Sequence, residues 1–122
     1  MAGTSFYSNS GDNNLTATGL TLAATGNLFE GNIDNLDRIA FQLTGTWVGT
    51  VLFEQSNDAT NWVSCSGYIP SAPATETVVS LTANGALVCR SDMKYGRVRV
   101  SAYTSGTIAC VVHGRRIGTF NQ

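Results

Sequence analysis

Apolar residues recur at every second position through most of this chain. Ile39, Phe41 and Leu43 alternate with Arg38, Ala40 and Gln42, and Val51 and Phe53 alternate with Thr50 and Glu54. Val79 and Leu81 alternate with Ser80 and Thr82. Val98, Val100 and Ala102 alternate with Arg97, Arg99, Ser101 and Tyr103, and Ile108, Cys110 and Val112 with Ala109, Val111 and His113. Successive strand side chains point to opposite faces, so each run reads as a strand with one face on a core. β-Branched residues dominate, and no stretch combines helical spacing with helix caps. Turn-forming residues separate the runs: Ser56 to Asn61, Ser71-Ala72-Pro73-Ala74, Ala83-Asn84-Gly85 and Thr104-Ser105-Gly106. The pattern predicts about eight to nine antiparallel strands, near 20–24, 28–33, 38–44, 47–55, 61–66, 76–82, 86–90, 95–103 and 107–116. Helix should be negligible, at most one turn near Ser91-Asp92-Met93. That number and spacing favour an all-β, two-sheet sandwich or jelly roll. Residues 1–19 are poor in apolar side chains and read as an extended arm anchored by Phe6 and Tyr7. Residues 20–122 read as one domain.

Composition sharpens this picture. A chain of 122 residues is one ordinary domain, and 43% hydrophobic residues suffice for a core. Charged residues make up only 12%, about half the usual share. Small neutral polar side chains replace them, and such a surface is cheap to desolvate against another protein. Net charge is −1, which argues for neither nucleic acid nor membrane. Its distribution is uneven. Residues 1–89 carry seven acids and one base, and residues 90–122 carry six bases and one acid. Either the last strands neutralise earlier acidic ones, or they form a basic face for an acidic partner. The N-terminus lacks the basic start and apolar stretch of a signal peptide, and no apolar run approaches a membrane span. Cys65, Cys89 and Cys110 are odd in number and widely spaced, which fits thiols in a reducing cytoplasm while leaving one disulfide open.

Catalytic and ligand-binding patterns find little support. His113 is the single histidine, and no serine sits in GxSxG. The carboxylates Glu30, Asp34, Asp37, Glu54, Asp58 and Glu76 form no pair that spacing places face to face. Asn32 to Asp37 has oxygen ligands but lacks the glycine and terminal glutamate of an EF-hand loop. No phosphate-cradling glycine motif, zinc-binding CxxC or cofactor motif occurs. Among the aromatics, Trp47 shares the inward phase of Val51 and Phe53, and Trp62 follows a turn and suits hairpin packing. Tyr68, Tyr95 and Tyr103 read as exposed. Tyr103 shares a phase with Arg97 and Arg99, so the three should form one outward stripe. Arg and Tyr are enriched where proteins meet. With Arg115, Arg116, Phe6 and Tyr7, they are the candidate protein-interface residues.

Two segments carry a family resemblance. One is Phe41-Gln42-Leu43-Thr44-Gly45-Thr46-Trp47-Val48-Gly49-Thr50-Val51-Leu52-Phe53-Glu54-Gln55-Ser56-Asn57-Asp58 with Asn61-Trp62-Val63. The other is Arg97-Val98-Arg99-Val100-Ser101-Ala102-Tyr103-Thr104-Ser105-Gly106-Thr107-Ile108. Together they resemble small β-sandwich virion proteins of tailed bacteriophages, over about residues 38–112. The chain departs from that pattern at Ala59, where glycine is usual, and in Cys65 and Cys89. The resemblance implies a structural virion role and transfers no catalytic or ligand residue. Within that role, a chain of little more than one domain, with low surface charge and a polar N-terminal arm, reads as a capsid decoration (cement) protein that binds the outer shell and bridges capsomers. The expected partners are the major capsid protein and further copies of the chain, as a dimer or trimer. The expected location is the capsid surface, after synthesis in the host cytoplasm, with no enzyme activity, cofactor, nucleic acid or membrane. The alternative is a head-fibre or tail component that holds a host glycan or receptor through exposed Tyr or Trp.

Overall fold

A computed structural model describes residues 6–7 and 14–116. Every element in them is a strand: β1 (Phe6–Tyr7), β2 (Asn14–Leu22), β3 (Gly26–Asn32), β4 (Arg38–Ser56), β5 (Val63–Ser64), β6 (Gly67–Tyr68), β7 (Gly85–Arg90) and β8 (Tyr95–Arg115). All pairings are antiparallel except β1 with β3, which is parallel. The all-β reading therefore holds, with one change in how the two layers are made. The runs at 38–44 and 47–55 are a single 19-residue strand, and those at 95–103 and 107–116 are a single 21-residue strand. Thr104-Ser105-Gly106, read from the sequence as a hairpin turn, lies inside β8.

β4 and β8 pair along their whole length and belong to both layers. Around residues 51–56 of β4 and 95–100 of β8, the neighbours are β5 on one side and β3 with β1 on the other. Around residues 38–45 of β4 and 108–115 of β8, they are β7 with β6, and β2. The sheet is thus one hydrogen-bonded network with two halves. Strands that pass from one layer to the other do so by bends and bulges, and both occur here. Over residues 44–50 of β4 and 101–107 of β8 the ribbon is mostly exposed, and two register shifts interrupt it, at Val48/Gly49 and Thr50/Val51. Gly45 (φ 100°) and Gly106 (φ 90°) adopt a conformation closed to most L side chains. A Cβ on Gly45 would sit 2.6 Å from the Thr107 carbonyl oxygen, and one on Gly106 would run into that of Thr46.

The inward phase resumes on each side of the bend. Ile39, Phe41 and Leu43 are buried, then Val51 and Phe53; Val98 and Val100 are buried, then Ile108, Cys110 and Val112. All belong to one core cluster with Leu87, Cys89 and residues of β2 and β3. Phe29, Phe41 and Phe53 are among its largest fully buried side chains, each worth about 1.5–3 kcal/mol of burial. A bulge in β3 between Asn27 and Phe29 turns both Leu28 and Phe29 inward. The three cysteines are free thiols. Burial pushes the Cys89 and Cys110 thiols up to about 12, so both stay protonated.

Three sequence-based boundaries move. The arm expected over 1–19 gives up residues 14–19 to β2, because Leu15 and Ala17 take buried places beside β8. Two apolar residues among polar ones made that strand hard to see. The strand expected at 76–82 is reduced to two isolated bridges, Gly67 with Val78 and Val51 with Leu81. The 61–66 strand shrinks to β5, and β6 follows it directly.

Candidate protein-interaction surface

The outward face of the first half-sheet is organised by one carboxylate. Glu54 in β4 lies opposite Arg97 in β8. Arg97 Nε donates to Glu54 Oε1 at 2.7 Å; Arg99 Nε donates to the same oxygen at 2.8 Å and its Nη2 to Oε2 at 3.0 Å. Glu54 is only 6% exposed beneath these guanidiniums. Burial pushes its carboxyl up, but the hydrogen bonds and charges of Arg99 and Arg97 outweigh that and hold it below the usual value. Arg97 also lies over the Trp62 ring, 4.3 Å from its centroid, a cation–π contact. The outward phase expected for Arg97 and Arg99 is correct, but both charges are spent largely within the chain. Local neutralisation is the reading that fits this pair.

Tyr103 does not join their stripe. The register shift between Thr50 and Val51 gives β8 an extra residue at Ser101, which reverses the phase beyond it. Tyr103 then lies opposite Gly49, packs against the core cluster and donates its hydroxyl to the Gly106 carbonyl oxygen at 2.7 Å. A strict period-two count cannot register a bulge. Trp47 lies on the core side as expected, half-buried, and its Nε1 donates to Asn84 Oδ1 at 2.7 Å. Asn84 in turn donates to the Gly45 carbonyl oxygen at 2.9 Å, tying the bend to the segment before β7.

Arg115 and Arg116 are exposed at the end of β8, on the other half-sheet. Arg115, the last residue of β8, pairs with Arg38 of β4. His113, two residues earlier, is exposed, and its Nδ1 lies 3.1 Å from Thr16 Oγ1. The sequence placed Arg97, Arg99 and Arg115 in one basic segment, and the bend puts them on different half-sheets. Phe6 and Tyr7 are described only as the backbone of β1, so the anchor role expected of their side chains lies outside the described residues.

Two polar residues shape the loops beside this surface. Gln55 is fully buried; its Nε2 donates to the Arg90 carbonyl oxygen at 2.8 Å, and its Oε1 accepts from the backbone N–H of Asp92 and Met93 at 2.8 and 3.0 Å. A polar residue on the inward phase of Val51 and Phe53 was the signal for it. Asp58 accepts from the backbone N–H of Thr60 and Asn61 at 2.9 and 2.8 Å and from Ser56 Oγ at 2.8 Å. These bonds, that of the Asn61 amide first, hold its carboxyl well below the ordinary range. Among the described residues, no group of three or more His, Cys, Asp or Glu side chains is placed to hold a metal.

No protein-family model matches the chain, and no curated protein matches it significantly. A solved structure does: the SPBc2 prophage-derived protein YomS superposes with a TM-score of 0.69 at 10% identity, over 83% of this chain and 92% of that one. At that identity the likeness is one of fold, and the fold is shared with a prophage-derived protein.

Proposed function

We propose that this chain is a structural protein of a bacteriophage particle, a decoration protein that binds the outer capsid shell and bridges capsomers. The observation that carries the reading is its fold, shared over 83% of the chain with a prophage-derived protein of similar size. The resemblance of residues 41–63 and 97–108 to phage virion sandwiches points the same way. The sparse charge of the surface supports a protein–protein role, since few ions need desolvating on contact. The mechanism is added interface. Each copy contributes modestly, and repetition over a symmetric shell multiplies the effect.

The receptor-binding alternative needs an aromatic side chain free to stack on a sugar. Trp47 is half-buried and bonded to Asn84, and one face of Trp62 is covered by Arg97. The test is to mix the purified chain with undecorated capsids of its own phage and sediment them. Saturable co-sedimentation and a higher shell-rupture temperature are expected. Capsids that bind none of it, with rupture unchanged, would remove the proposal.

A further inference from the structure

The outward face of the second half-sheet carries an arrangement that the fold alone does not require. Arg90 in β7 pairs with Arg38 in β4, and Arg38 pairs with Arg115 in β8. Directly paired residues on neighbouring strands point to the same face, with Cα atoms about 4.5–5.5 Å apart. Three guanidinium-bearing side chains therefore start from one row across three adjacent strands. Like charges placed directly opposite one another destabilise a sheet. The partial relief is at one end, where Arg90 Nε lies 3.9 Å from Asp92 Oδ2 in an exposed pair. Among the described residues, no ion pair holds Arg38 or Arg115. The contrast with Arg97 and Arg99 is sharp, because there one carboxylate sits between two arginines.

The next row on the same face runs Tyr68, Val88, Ala40, His113 and Thr16, across β6, β7, β4, β8 and β2. Ala40 is small, and over it opens a concavity of about 310 Å³ lined by Arg38, Ala40, Tyr68, Val88, His113 and Arg115. The lining combines the apolar Ala40 and Val88 with two arginines, an imidazole and a phenol. An apolar patch beside two guanidiniums suits a carboxylate on a short methylene stem, since guanidinium binds carboxylate bidentately.

From this geometry we infer that the Arg38–Arg115 concavity is a docking site for an acidic side chain of a protein partner. It goes beyond the capsid reading and does not depend on it, because the site's chemistry is the same whichever protein supplies the acid. A protein carboxylate fits better than a nucleic-acid backbone. The concavity is short, Asp37 and Asp92 lie beside Arg38 and Arg90, and a chain of net charge −1 gives little of the long-range attraction that polyanion binding uses.

The experiment titrates the full chain with a short oligoglutamate peptide and follows side-chain NMR signals of His113, Tyr68 and the arginine Nε–H groups. Saturable shifts confined to this face are expected, weakening as salt rises. Arg38→Gln and Arg115→Gln should each weaken binding about threefold, and the double variant about tenfold. Lys94→Gln removes one positive charge elsewhere and should leave the affinity unchanged. Absence of saturable shifts, or equal weakening by Lys94→Gln and Arg115→Gln, overturns the site. Tighter binding of a single-stranded oligonucleotide than of the peptide overturns the choice of partner. None of these outcomes bears on whether the chain sits on a capsid, which the co-sedimentation experiment decides separately.

Discussion

Between Arg97 and Arg99, Glu54 is ionised and nearly covered, so its charge and its hydrogen bonds act together. Glu54→Gln keeps the shape but leaves two guanidiniums sharing a neutral acceptor. The expected loss is about 1–3 kcal/mol, read from urea unfolding, and a loss too small to measure would mean the network is only superficial. Glu54 and Asp58 both have folded-state pKa values below their ordinary ones of 4.5 and 3.8. Their contribution is therefore complete above those values and lost as pH falls through the folded ones. The urea midpoint should hold steady from neutral pH down to about pH 5 and drop below about pH 4. The double variant Glu54→Gln with Asp58→Asn should flatten that drop. Ala59 is a different kind of residue-scale cost. Its φ of 59° is left-handed, in the turn where the phage pattern usually has glycine. An L residue there costs roughly 1–2 kcal/mol, part of which glycine gives back as chain entropy. Ala59→Gly should stabilise the protein by about 0.5–1 kcal/mol, and an unchanged or lowered midpoint would contradict the strain.

At the scale of elements, β4 and β8 decide the architecture by bending rather than stopping. Gly106→Ala tests the bend directly. The added methyl meets the Thr46 carbonyl oxygen and the Trp47 Cα from a backbone with φ of 90°. A loss of about 2–4 kcal/mol is expected in chemical denaturation, and a neutral result would mean the corner relaxes freely. The same corner marks where the sequence stops being legible. Alternation around Ile39 to Leu43, Val51 to Phe53, Val98 to Val100 and Ile108 to Val112 found the buried faces of both layers. It could not tell a strand that bends from two strands joined by a turn, because Gly-rich, Thr-rich segments suit either. Bulges at Ser101 and in β3 add a residue without a compositional mark, so Tyr103 falls on the face opposite to the one that counting assigns. The short β5 and β6 and the bridges at Val78 and Leu81 depend on tertiary pairing, and local pattern carries little of that.

Across the whole molecule, the bend separates charges that are neighbours in sequence. Arg97 and Arg99 go to one half-sheet, where Glu54 takes up most of their charge, and Arg115 goes to the other, beside Arg38. The candidate contact face is thus built from Arg38 and Arg115, residues on either side of the division between the acidic and basic parts of the chain, and charge counting along the sequence had no means of joining them. The particle-level role proposed for it depends on number. The central claim is that this protein coats a phage shell. Quantitative mass spectrometry of purified virions, scaled to the major capsid protein, tests it most directly. A shell coat requires on the order of hundreds of copies per particle, in fixed proportion to the shell subunits, as icosahedral repetition dictates. Roughly a dozen copies or fewer, the number a tail or fibre attachment would supply, would contradict it.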